Sequence, residues 1–135
     1  MSERAFLIAL DNLSHDNMEE NPPLEVKAVG NPRRILSGQS SKSWTKPCFA
    51  GDILSFVVDL EPQKFEIEDV GYDEFIHVLE GTLILTDKEG HAQRFDAGEC
   101  LVMPKGFSGT WETLGNYREL VVIEAKTFVE EMSRP

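Results

Sequence analysis

From Trp44 onward the apolar positions fall in short runs, cut at regular spacing by Gly, Pro, Asp and Asn. That is the pattern of an antiparallel β protein, with strands of a few residues and turn chemistry between them. Residues 53–60 are β-branched and apolar and predict a strand, and 65–68 predict a shorter one. Residues 74–79 and 82–86 read as strands separated at Gly81 by a sharp bend or bulge. Asp87-Lys88-Glu89-Gly90 is a hairpin turn, with Gly90 free to take positive φ, and 91–95 return as its partner. A turn at 96–98 leads into a strand at 100–103. Residues 107–113 and 118–125 then predict a last hairpin around 114–117.

The first forty-odd residues follow no such rule. Residues 4–13 are apolar without a clear period, and 14–23 are polar, acidic and loop-like. Residues 24–29 alternate and predict a short strand; 30–43 read as loop and carry Arg33-Arg34. At the other end, 128–132 predict a helical turn. The organisation expected is one domain: an N-terminal arm and loop over 1–43, a β-barrel over 44–125 and a tail over 126–135. Open sheet edges invite a partner chain. A homodimer is therefore expected, with 24–37 as its swapped or docking strand.

Charge narrows the partners. The 24 acidic and 13 basic residues give a net charge of −11, with no basic stripe to offset it, which argues against nucleic acid and anionic membranes. No apolar run approaches membrane-spanning length, and the run at 6–10 is too short for a signal-peptide core, so a cytoplasmic address is expected. Two cysteines cannot define a disulfide framework. Cys100, in an apolar stretch, is expected to be buried, and Cys48, after Pro47, more exposed.

Two stretches carry the motif content. Glu74 is followed by Gly81 at the seventh position, and Gly98 by Pro104 and Gly106 at the sixth and eighth. These stretches resemble the paired signature motifs of the cupin superfamily. The resemblance implies an all-β double-stranded β-helix, a jelly-roll barrel with an N-terminal arm. It also shows what is missing. The histidine positions of the first motif hold Val70 and Glu68, or Asp69 and Ile67 in the longer spacing. In the second motif the histidine and asparagine positions hold Gly109 and Thr113. Of the usual ligands Glu74 alone survives, and one carboxylate does not hold a first-row metal. No metal and no cofactor are expected, unless Glu74 joins Glu68, Asp69 or His77. For His77, three residues along a strand from Glu74, parity sets the side chain on the other face.

The same parity sets Trp111 and Thr113 on the side of Gly109. The expected pocket has Glu74 facing Trp111 across space left at Gly109, in surroundings that raise a carboxyl pKa. Trp44, Tyr72-x-Glu74, the run from Pro104 to Glu112 and Arg118 resemble one subgroup, the small cupins related to ureidoglycine aminohydrolase and ethanolamine-utilisation cupins. That resemblance implies a barrel that is often dimeric and mostly without assigned activity. The function expected is a metal-free small-molecule binding module for an amine, ureide or acid. Tyr72 and Trp111 would be its walls, Gly109 its space, and Glu74 and Arg118 its polar anchors. The alternatives are an aminohydrolase-like or isomerase-type enzyme with Glu74 as catalytic base, and an inert structural subunit. For Arg118 a plain salt bridge stands beside the anchor role.

Overall fold

The computed structural model describes residues 3–22, 35–38 and 41–133. The strand expected at 24–29 and Arg33-Arg34 lie outside the described residues, as does most of the docking strand expected at 24–37. The described chain forms a 3-10 turn at His15–Asn17, strands β1 (Glu19–Glu20), β2 (Ile35–Gly38), β3 (Ser43–Ala50), β4 (Ile53–Leu60), β5 (Gln63–Ile67), β6 (Glu74–Asp87), β7 (Ala92–Asp96), β8 (Cys100–Met103) and β9 (Gly109–Glu124), and helix α1 (Ala125–Met132). Residues 14–23, expected as loop alone, thus contain a turn and a short strand, and β1 pairs with β3.

The last hairpin expected in the sequence does not exist. Residues 109–124 make one continuous strand whose halves pair with different neighbours. The C-terminal half lies against β4, from Tyr117↔Leu60 to Glu124↔Ile53, and the N-terminal half against β5, from Gly109↔Ile67 to Thr113↔Gln63. β6 runs beside β9 along both halves. Two antiparallel sheets result, β1-β3-β4-β9-β6-β8 and β2-β5-β9-β6-β7, joined by the two long strands. This is the jelly-roll barrel expected from the motifs.

The physical reason lies at the corner. Gly81 has φ +77°, and an added Cβ would sit 2.6 Å from the Asn116 carbonyl oxygen and 2.9 Å from that of Leu114. The register of β6 against β9 slips on both sides of Glu80. Residues 114–117, with Gly115 at φ +69°, bend with it rather than reversing the chain. Turn-forming residues here make a strand corner, which local chemistry does not distinguish from a hairpin.

Inward side chains of the two sheets form the main core, including Ile67, Ile76, Val78, Leu83, Met103, Trp111 and Val121. A second, smaller cluster lies outside the first sheet. There Leu10, Leu13 and Met18 of the N-terminal segment cover Trp44, Val57 and Leu120. Helix α1 packs over Gly71 and Tyr72: Phe128 meets the Tyr72 ring edge-on at 5.4 Å, and the Glu131 carboxyl group lies where a Cβ on Gly71 would be.

Candidate functional site

Strand parity sorts the nominated residues into two places. On β6, Glu74, Ile76 and Val78 are buried towards the barrel interior, while Phe75 and His77 alternate with them on the outer face. On β9, Trp111, Thr113, Tyr117, Glu119, Val121 and Ile123 are buried. Arg118 falls out of phase with them.

The interior holds Glu74, Tyr72 and Trp111, and they are closed in: Glu74 is 1% exposed and the two aromatic residues 2% each. The register places Glu74 on the sheet that contains β4 and Trp111 on the sheet that contains β5. Trp111 packs edge-on against Tyr117, with ring centroids 6.4 Å apart. The space expected at Gly109 is not there. A Cβ at that position would come within 2.0 Å of the Thr86 carbonyl oxygen and 3.0 Å of the Asp87 Cα. Gly109 is a glycine because β9 passes against the β6 backbone, where it pairs with Asp87. It opens no pocket, and no histidine fits there.

The other ligand positions of the cupin motif fare no better. Ile67 and Val70 are buried in the core, while Glu68 and Asp69 are exposed. His77 lies on the outer face. Among the described residues, the group of three whose ligand atoms converge is Asp87, Glu89 and His91 at the β6–β7 hairpin, away from Glu74. The residues present therefore do not fit the metal that cupin motifs usually carry.

Arg118 is not at the mouth of the interior. It projects from the outer face and grips Asp59 of β4 with two hydrogen bonds, Nε to Oδ1 at 2.5 Å and an Nη2 donation to Oδ2 at 2.8 Å. The same nitrogen donates to the Leu13 carbonyl at 3.1 Å, so this pair also ties the N-terminal segment to the sheet. Hydrogen bonding to Asp59 pushes the guanidinium above its ordinary pKa against partial desolvation, with the charges of Asp59 and Glu80 adding to the rise. His15 lies flat on Trp44, with centroids 3.5 Å apart and planes 8° apart, and its Nε2 is 3.2 Å from Asp59 Oδ2.

These side chains line a half-open cavity of about 470 Å³ between the N-terminal segment and the barrel. Trp44 and Tyr117 supply aromatic wall, Asp16, Asp59, Glu61 and Glu80 supply carboxylates, and Arg118 supplies the one full positive charge among the lining residues. His15, Asp59 and Glu80 were not nominated by sequence. Asp59 had left a signal, as the lone acid in the apolar strand Ile53–Leu60. His15 had left none, because its place depends on the fold-back of the N-terminal segment.

The cysteines also depart from expectation. Cys100 is exposed and Cys48 is the half-buried one. β8 buries Leu101 and Met103, so the alternation turns Cys100 and Val102 outward. Partial burial pushes the Cys48 thiol pKa up.

The model of the EutQ-like cupin domain matches residues 49–119. Among solved structures, the chain is similar to a Salmonella typhimurium protein assigned as ethanolamine utilization protein Q, at 23% identity and a TM-score of 0.54, over 61% of this chain and 68% of that one. The EutQ protein of Clostridium difficile is similar at 20% identity and 0.56, over 84% and 79%. A protein of unknown function from Pseudomonas syringae pv. tomato, of the DUF861 family, is similar at 16% and 0.63, over 78% of this chain and 43% of its own length. At these identities the likeness is one of fold. No functionally curated protein matches the sequence.

Proposed function

Because the chain belongs to the EutQ-like cupin domain family, we propose that it is a metal-free small-molecule binding module whose ligand is an amine cation. The barrel of 44–125 is the binding unit, and the arm of 1–43 supplies part of the wall. The observation that carries this reading is the cavity beneath the N-terminal segment. Four carboxylates face one arginine there, and the arginine is already committed to Asp59. A cation is attracted by that excess, whereas a ureide gains nothing from it and an acid is repelled. Trp44 and Tyr117 close the apolar side of the cavity, with the Trp44 ring held beneath His15. Metal independence is supported by the apolar residues at Ile67 and Val70 and by the steric closure at Gly109.

Thermal unfolding with a panel of alkylamines, ureides and hydroxy acids tests it, since a ligand raises Tm by binding the folded form. Amines are expected to raise Tm with concentration, and Glu61→Gln with Glu80→Gln, both at exposed positions, to abolish the rise. An equal response to acids, or an amine response that survives the double substitution, would refute the assignment. Glu74→Gln tells the interior from the outer cavity: it is expected to leave the amine response intact. Loss of the response with Glu74 instead moves the site inside the barrel, where the enzyme alternative has its base. The inert-subunit alternative is favoured by one observation, the close burial of Tyr72, Glu74 and Trp111, and predicts no response to any compound.

A further inference from the structure

At the covered end of the first sheet the strand register sets one row of side chains across five strands: Glu20 on β1, Trp44 on β3, Asp59 on β4, Arg118 on β9 and Glu80 on β6. The row is on the outer face, yet Trp44 and Asp59 are each only 8% exposed, because the N-terminal segment lies over them. Three kinds of contact hold that cover down. Leu10, Leu13 and Met18 pack on the sheet. Arg118 donates to the Leu13 carbonyl at 3.1 Å. His15 lies flat on Trp44, with its Nε2 3.2 Å from Asp59 Oδ2. The packing and the arginine bond are the same at any pH near neutrality. The third contact is not. It is an ion pair only while the imidazole is protonated, and histidine is the side chain whose charge changes in this range.

We propose that His15 is a protonation-controlled latch on the N-terminal segment. Protonated, it holds residues 10–18 against the barrel and occupies the carboxylate of Asp59. Neutral, it lets the segment loosen and leaves that carboxylate to a ligand cation. The groups around the ring decide the sign. Beside Asp59 stand Asp16 on the same turn as His15, Glu61 after β4 and Glu80 on β6, with Glu20 opposite Trp44 on β1. Against them stand Arg118 on β9, already bound to Asp59, and Lys46, opposite Val57 on β3. The Tyr117 phenol lines the same cavity, and His77 on β6 lies opposite Leu120 in the next row. Carboxylates outnumber cations around the imidazole, so the field there attracts positive charge, and the indole face beneath it does the same. Closure is therefore strongest on the acid side of the His15 titration and weakens as pH rises through it. The His15 side chain is 51% exposed, so solvent screens the pair and the effect is a few-fold change rather than an all-or-none one. The latch stands on this geometry alone; its consequence for ligand binding rests on the amine reading.

Amide hydrogen exchange of the full chain without ligand tests the latch. Two amides report on the segment: Asn17 donates to the Ser14 carbonyl and Ser14 to Asn17 Oδ1, each at 3.0 Å. Their protection, taken relative to the intrinsic exchange rate at each pH, is expected to fall roughly 3- to 5-fold between about pH 5.5 and about pH 8. His15→Gln is expected to show the lower protection at both pH values, and His77→Gln to keep the wild-type change. Equal wild-type protection at the two pH values, a change that persists in His15→Gln, or one that disappears in His77→Gln overturns the proposal. Titration with an alkylamine gives the second arm. Its dissociation constant is expected to fall by a similar factor from the lower to the higher pH in the wild type, since the linkage is reciprocal, and to stay constant in His15→Gln. A measurable wild-type constant that ignores pH overturns the competition for Asp59. Absence of amine binding at either pH, with the change in protection intact, supports the latch and refutes the amine reading instead.

Discussion

Two regions of this molecule pair a tryptophan with buried or half-buried acids, and they differ in what surrounds them. Inside the barrel, Trp111 is wedged edge-on against Tyr117, and Glu74 is walled in by the core. Outside, Trp44 carries His15 flat on its ring and shares a half-open cavity with Asp59, Arg118 and Glu80. The inner set is built by side chains at alternate positions of two long strands, so its packing is fixed by the sheets. The outer set is assembled when a segment some thirty residues upstream in sequence folds back onto a sheet face. Motif reasoning points to the first because cupin landmarks flank it. Space and charge point to the second.

The comparison breaks first at Gly109. Because the backbone of Thr86 occupies the place of a Cβ at Gly109, Gly109→Ala is expected to cost about 3 kcal/mol or more in urea unfolding. A near-neutral result would mean that the interior has room after all. Next come the two tryptophans. Trp111→Ala is expected to cost about 3–5 kcal/mol by leaving a core cavity, with any amine response retained where the protein stays folded. Trp44→Ala is expected to cost less, because its ring is covered from one side by a single segment, yet to lose the amine response. The reverse pattern in paired denaturation and ligand titrations would exchange the roles of the two regions. Arg118→Ala comes third. It removes both guanidinium hydrogen bonds from Asp59, leaving His15 as its neighbour at 3.2 Å, and frees the Leu13 carbonyl, for about 2 kcal/mol, and it is expected to make the bond between residues 13 and 14 more susceptible to protease. Unchanged proteolysis would detach Arg118 from the seating of the N-terminal segment.

The smallest effect concerns Asp87 at the β6–β7 hairpin. Amide donors from His91 and Glu89 hold its carboxyl below the ordinary value of 3.8. A depressed carboxyl stabilises the fold above its unfolded value and loses that contribution as pH falls through the folded one. Asp87→Asn is therefore expected to lower Tm slightly near neutrality, with the difference from wild type vanishing in acid below that range. A difference that grows in acid would contradict the assignment.

Much of the barrel is legible in residue order. Turn residues at 87–90 and 96–98, the alternation at 53–60 and 100–103, and the spacing of Glu74, Gly81, Gly98, Pro104 and Gly106 mark its strands and its family. The outward setting of His77 follows from parity with Glu74. Parity could equally have exposed Cys100, where an apolar neighbourhood suggested burial. It could also have set Arg118 opposite in phase to Trp111. What residue order does not carry is the partner of each strand half. The same Leu114-Gly115-Asn116-Tyr117 chemistry serves a hairpin or a corner, and only pairing with β4, β5 and β6 decides which.

By itself, then, the sequence determined an all-β chain with cupin landmarks, a strong negative charge and no histidines at the expected metal positions. These are properties of spacing and composition, and they survive any arrangement of strands. The tertiary structure decided where the usable space lies. It filled the position of Gly109 with the Thr86 backbone and turned Arg118 outward onto Asp59. It also brought His15 from a polar stretch onto the face of Trp44. Those outcomes depend on distances between segments far apart in the chain, which only packing brings together.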